Sequence, residues 1–177
     1  MVTQIDNKSI LGQPELLSKF MDAISSDAEF LRGSYPNFDK WIVQKVIPGI
    51  FDGNRTVMLE ERSGAIVGLL ILKHTSDERK ICTLRVKPEY ENRGLGVKLF
   101  EKSFEILEVE TPLLSVSEVS LPKFERIFKH FGFMFERSYL GMYLPKVHEF
   151  AFNGILVTGE VEEVKSKSGL EKKILSF

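Results

Sequence analysis

The chain has 177 residues, 43% of them hydrophobic, with a formal net charge of −1 and a single cysteine. This is enough apolar material for one packed domain, alone or with an appendage. It excludes an internal disulfide framework and a multi-cysteine metal site, and it offers no global basic field to draw in nucleic acid or anionic lipid. No apolar run reaches the roughly 20 residues of a membrane span. The polar start, with Thr3, Gln4, Asp6, Asn7 and Lys8, lacks the basic-then-apolar plan of a signal peptide. A cytoplasmic protein with no nucleic-acid or membrane partner is expected. His74, His130 and His148 are scattered without ligand spacing, so no metal is expected either.

In chain order, Val2 to Leu11 has room for a short strand. Pro14 suits the first turn of a helix in which Leu16, Leu17, Phe20, Met21 and Ile24 recur at helical spacing. A second helix follows Pro36, with Phe38, Trp41, Ile42 and Val46 on one side, and is expected to end at Pro48 or Gly49. A three-strand meander comes next: Thr56 to Glu61, Ala65 to Lys73 and Lys80 to Val86. Arg62-Ser63-Gly64 and the polar stretch from His74 to Arg79 are its turns. The second of these strands is apolar throughout and reads as buried on both faces.

Immediately after the meander stands Val86-Lys87-Pro88-Glu89-Tyr90-Glu91-Asn92-Arg93-Gly94-Leu95-Gly96-Val97-Lys98-Leu99-Phe100. A strand stops, two glycines come one residue apart, and an amphipathic helix begins with Val97, Phe100, Phe104 and Leu107 on its apolar side. The first N–H groups of a helix have no internal acceptor, and its dipole adds positive potential there. Glycines let an anion approach the backbone without meeting a Cβ. The ligand this order points to is a pyrophosphate. No Gly-Lys-Ser or Gly-Lys-Thr follows, which argues against a nucleotide P-loop. Antiparallel strands ahead of the turn fit a dinucleotide-binding unit poorly.

Leu113 to Ser117 reads as a short strand and Leu121 to His130 as a helix with Gly132 as its stop. Phe133 to Leu144 reads as a strand bounded by Pro145. The tail from Val147 changes character: Glu149 to Val157 has strand composition, Gly159 to Gly169 is charged and turn-rich, and the end carries Ile174, Leu175 and Phe177. A domain over 1–146 with a 147–177 extension, packed on it or on a partner subunit, is expected.

The stretch from Leu84 to Gly96, with the later Phe131-Gly132-Phe133, resembles the acetyl-CoA signature and closing Gly-Phe of the GNAT superfamily of N-acyltransferases. The resemblance covers roughly Val2 to Leu144. It implies an α/β (α+β) fold with a mixed, mostly antiparallel central sheet, splayed between strands 4 and 5 and flanked by helices. It further implies that pantetheine pairs with the backbone of Leu84, Arg85 and Val86. The pyrophosphate would rest on N–H groups of Arg93, Gly94, Leu95, Gly96 and Val97. The co-substrate would be acetyl-CoA and the partner a small-molecule or peptide amine that attacks the thioester directly. Aminolysis of this kind depends on placement and on a backbone N–H near the carbonyl more than on a distinctive triad.

Three departures stand out. Glu91 lies where the family motif usually begins with Arg or Gln, and Arg93 is the nearest cation to offset it. Phe128 lies where the family often carries the Tyr that protonates the departing thiolate. Leu121 likewise replaces a frequent Asn. Tyr139 and Tyr143 on the following strand are alternative acids, and Glu118, just past Ser117, is the first candidate base for an amine acceptor. Glu60, Glu61 and His74 read as surface groups and Cys82 as a structural thiol. Tyr35, Phe38 and Trp41 lie where the family shapes its acceptor pocket, and Gly33 to Asn37 is a place for a gating loop. An enzyme and a non-catalytic acyl-CoA sensor both stay open, as does homodimerisation through the tail.

Overall fold

Asp6 decides how the chain begins. In the computed structural model, which describes residues 1–26 and 35–156, its carboxylate accepts the Ser9 N–H at 2.8 Å and the Ser9 hydroxyl accepts the Asp6 N–H at 2.8 Å. This reciprocal cap ends strand β1 at Val2–Ile5 and starts helix α1 at Asn7–Gly12. The short strand for which Val2 to Leu11 has room is therefore its first four residues. Helix α2, Glu15–Ser26, follows.

The next helix does not stop at Pro48. Helix α3 (Phe38–Trp41) passes into a π-helical turn (Ile42–Val46) and on into α4 (Ile47–Phe51). Pro48 has no N–H, and its ring would press on the carbonyl four residues back in a regular helix. Widening the turn, so that the Ile47 N–H donates to Ile42 O, carries the chain past it. Gly49 then leaves room for the Arg55 stem, which runs 2.8 Å from where a Cβ would stand.

Strands β2 (Arg55–Arg62), β3 (Ala65–His74) and β4 (Arg79–Val86) form the expected meander, antiparallel and in the order β1-β2-β3-β4. On one face Val57, Leu59, Leu69 and Ile71 pack with Phe20, Ile24, Phe38, Ile42, Val46 and Ile50 from the N-terminal helices. The other face carries helix α5, Leu95–Leu107, close enough that a Cβ on Gly68 would stand 3.3 Å from the Leu99 Cδ1. β3 is thus covered on both sides, as its unbroken apolar run requires. β4 has one residue more than its partner: Ile71 opposes Thr83 and Leu72 opposes Ile81, so Cys82 is a bulge.

These elements belong to the first of two units, Met1–Val109; the second is Glu110–Phe177. The second contains β5 (Leu113–Ser117), helix α6 (Leu121–Phe131), β6 (Phe135–Leu140) and β7 (His148–Phe152). β7 lies between β5 and β6 and is antiparallel to both. α6 ends at Gly132, whose φ of 71° is the left-handed conformation of a C′ glycine, and the Phe133 N–H closes on Phe128 O at 2.9 Å. Phe128 sits in the aromatic core with ring centroids 5.2 Å from Phe133 and 4.6 Å from Phe152. The strand expected over 133–144 is shorter than its composition suggests, because Asn153 ties both polar backbone groups of Met134 before β6 begins. At its other end Gly141, with φ 73°, turns the chain and donates its N–H to Val147 O at 3.0 Å, so Tyr143 lies in the turn after β6, not on a strand. The fold is α/β, with mostly antiparallel strands flanked by helices, as expected. The charged stretch from Gly159, the apolar end at Phe177 and part of the Gly33–Asn37 loop lie outside the described residues.

Candidate coenzyme-binding site

Where β4 ends, the Lys87 N–H still pairs with Val67 O at 2.9 Å, and Pro88–Tyr90 forms a single 3₁₀ turn. Asn92 and Gly94 then take left-handed backbone conformations, φ 58° and 80°. Together they reverse the chain into α5. Gly94 is the N-cap and contributes no side chain to the helix end. Nothing lies within 4 Å of the position a Cβ would take on it. The buried Leu95 anchors the first turn, while Gly94 itself is exposed and Gly96 and Val97 are partly so. Main-chain N–H groups therefore face an open approach at the positive end of a thirteen-residue helix. That is the arrangement a phosphate oxygen needs, so the residues fit a pyrophosphate group.

Leu84, Arg85 and Val86 are the last three residues of β4. Leu84 and Val86 oppose Leu70 and Gly68 on the α5 face, while Arg85 opposes Leu69 on the face of the N-terminal helices. The Arg85 guanidinium lies 5.6 Å over the Tyr35 ring. All three residues are partly buried. The bulge at Cys82 interrupts the ladder just before them, and bulges of this kind leave a backbone group out of regular pairing. The Cys82 Sγ accepts from Arg55 Nη1 at 3.2 Å, and Arg55 also stacks 5.5 Å over Trp41. These contacts give the thiol and the tryptophan structural uses.

Cations gather round the loop. Arg93, exposed, lies 6.0 Å from the Tyr90 ring centroid, and Arg62 at the end of β2 lies 5.8 Å from the same centroid. Glu60 holds the Arg62 Nε at 3.4 Å. Arg62 and Tyr90 were not singled out by motif reading. The signal was nonetheless present: in an antiparallel meander the end of β2 and the end of β4 fall at the same edge. On the helix-covered face, Lys19 sits 2.8 Å from the Glu61 carboxylate, and this contact holds the Glu61 pKa below its ordinary value.

In the second unit, Glu118 extends β5 by one reciprocal pair. Its N–H donates to His148 O at 2.9 Å and its Oε1 accepts the His148 N–H at 3.1 Å. His148 in turn shares a hydrogen bond between Nδ1 and the Ser138 hydroxyl at 2.7 Å, a pair that ligand-spacing arguments pass over. Tyr139 is buried, and its hydroxyl accepts the Leu156 N–H at 2.9 Å. Tyr143 is 38% exposed. Ser138, Tyr139 and His148 thus lie in one three-stranded sheet, with Glu118 in the turn after β5 and Tyr143 in the turn after β6. Among the described residues no group of three or more His, Cys, Asp or Glu is placed to hold a metal, and no helix is long and apolar enough to cross a membrane.

Comparison with known proteins bears on the fold and the family. No curated protein matches the sequence. Of solved structures, nourseothricin acetyltransferase is 16% identical with TM-score 0.49; the match covers 57% of this chain and 65% of that one, so this chain spans slightly less than two thirds of that protein. IAA acetyltransferase from Bacillus cereus ATCC 14579 is 11% identical over 86% of this chain and 96% of its own, with TM-score 0.60. An aminoglycoside 6'-N-acetyltransferase complexed with coenzyme A is 10% identical over 86% and 94%, with TM-score 0.57. At these identities the last two show a shared fold. The acetyltransferase (GNAT) domain family matches residues 24–139, which is most of the chain and contains β4, the glycine loop and α6, and the chain belongs to that family.

Proposed function

We propose that this protein is an N-acyltransferase, most simply an N-acetyltransferase, moving an acetyl group from acetyl-CoA to a primary amine. The observation that carries the reading is the uncapped start of α5, where Gly94 opens the main-chain N–H groups to an anion directly after a bulged β4. Acetyl-CoA would supply an activated thioester carbonyl. The backbone of Leu84, Arg85 and Val86 would hold its pantetheine arm, and the N–H groups from Arg93 to Val97 its pyrophosphate. With the thioester fixed, the amine nitrogen forms a bond to the carbonyl carbon as the carbon–sulfur bond breaks. The amine's proton passes to a base, and the thiolate leaves. A thiol pKa near about 8.5 makes that departure tolerable near neutral pH.

Glu118 is the proposed base. Its Oε1 is engaged by a backbone N–H, which fixes the carboxylate's position while leaving a second oxygen on the same group. Tyr139 and Tyr143 are the proposed acids. Of these, Tyr143 is the better exposed, since the Tyr139 hydroxyl also bonds the Leu156 backbone. The acceptor class is drawn by analogy from the aminoglycoside enzyme of the same fold. A cytoplasmic location, the absence of metal, nucleic-acid and membrane partners and a homodimer through the tail belong to the same proposal.

One observation favours a second reading. Phe128 is buried among Phe124, Phe133 and Phe152, so the site of the family's usual tyrosine is here part of the core. A coenzyme sensor needs no acid at that position. Titration calorimetry with coenzyme A, then free-thiol release from acetyl-CoA across a panel including spermidine and an aminoglycoside, separates the readings. Binding with turnover supports the enzyme, and binding without turnover on any amine supports the sensor. No heat with coenzyme A overturns both.

A further inference from the structure

We infer that Arg62, on the β2–β3 hairpin, is a second phosphate-binding residue that selects the ribose 3′-phosphate of coenzyme A. The inference rests on the coenzyme reading above. Two guanidinium groups share one ring: Arg62 lies 5.8 Å and Arg93 6.0 Å from the Tyr90 centroid. The backbone that carries the ring is fixed in the 3₁₀ turn, where the Tyr90 N–H donates to Lys87 O at 2.8 Å. A guanidinium stacked on an aromatic face keeps its donor edges directed outward in a fixed plane. The same-sign charges on one side chain platform repel each other, and an anion between or beside them removes that cost.

Glu60 is the carboxylate on this part of the hairpin that bonds Arg62, and it reaches only the Nε, at 3.4 Å. The guanidinium has five donors, so its terminal edge has capacity for two phosphate oxygens. The main-chain N–H groups at Gly94 already match a diphosphate. The other phosphate that coenzyme A carries is a monoester with more charge than either diphosphate unit, and it calls for a side-chain cation. Arg62 arrives from β2, two strands away from the loop, so it forms part of a separate contact and not part of the glycine motif.

Calorimetric titration of wild type and Arg62→Gln with coenzyme A and with 3′-dephospho-coenzyme A tests this. The expected result is a wild-type preference for coenzyme A of about tenfold or more, equal to about 1.4 kcal/mol per tenfold. Arg62→Gln should lose about tenfold on coenzyme A and nothing on the dephospho form. An equal loss on both nucleotides would assign Arg62 to the diphosphate or to the fold, and overturn the inference. So would an unchanged affinity for both. Arg62→Lys, which keeps the charge and loses the planar fork, should retain part of the preference; full loss with an unshifted melting curve would also count against a charge contact. If neither nucleotide binds wild type, the coenzyme reading falls together with this one. If both bind wild type equally, only the role of Arg62 falls.

Discussion

At the scale of single residues, Gly94 concentrates two requirements. Its φ of 80° suits glycine, and the space beyond its Cα is open. Gly94→Val should therefore fold with a strain cost of about 1–3 kcal/mol, while coenzyme A affinity falls at least tenfold; calorimetry beside a thermal melt reads both. Glu118→Gln keeps an oxygen for the His148 N–H, so the fold should hold while transfer slows, chiefly toward lower pH; an unaltered pH–rate profile would remove Glu118 as the base. His74 gives a pH effect on stability with a definite sign. Burial, then the nearby Arg79, push its pKa below the ordinary 6.5, and its Nε2 shares a hydrogen bond with Thr56 at 3.0 Å. The unfolded chain then binds the proton more readily. Stability is complete above the ordinary value and drains as pH falls from there toward the lower folded value. His74→Gln should flatten the stability slope on the acid side of the ordinary value of 6.5, measured by denaturant melts.

At the scale of elements, the glycine loop and α5 were legible because a strand, a turn and a 3.6-residue period leave separate marks on a sequence. What stayed hidden has local physical causes. Asp6 and Ser9 start a helix in six residues too few to show a period. Pro48 reads as a stop, yet the π turn before it removes the clash that would have made it one. The bulge at Cys82 is a matter of pairing and leaves no mark on composition. It nevertheless decides which way β4 faces, since it puts Ile81 and Leu84 on one face although they are an odd number of residues apart. Deleting Cys82 should turn one half of the strand over, setting Arg85 against α5 or its counterpart residues into the helix core. Such a variant is expected not to fold, and loss of the cooperative melt would show it. The packing of α5 on β3 is equally tight. Gly68→Val would press on Leu99 at 3.3 Å and Glu60 at 3.2 Å, and should destabilise by about 1–3 kcal/mol in a denaturant melt.

At the scale of the whole molecule, ligand linkage gives the broadest expectation. Coenzyme A at about a hundred times its dissociation constant should stabilise by about 2.7 kcal/mol and raise the melting temperature by about 5 °C or more. The family was readable from motif and order, whereas an acceptor side was not, because side chains that line a pocket need share no spacing along the chain. The order of strands in the second unit has its own effect on how the protein is made. β7, last of the described strands to leave the ribosome, fills the place between β5 and β6, and those two have no ladder with each other. A nascent chain halted before His148 holds two isolated ribbons with Phe128 and Phe135 bare between them. Until Phe152 is clear of the ribosome, that half of the protein is expected to expose apolar surface of the kind chaperones bind.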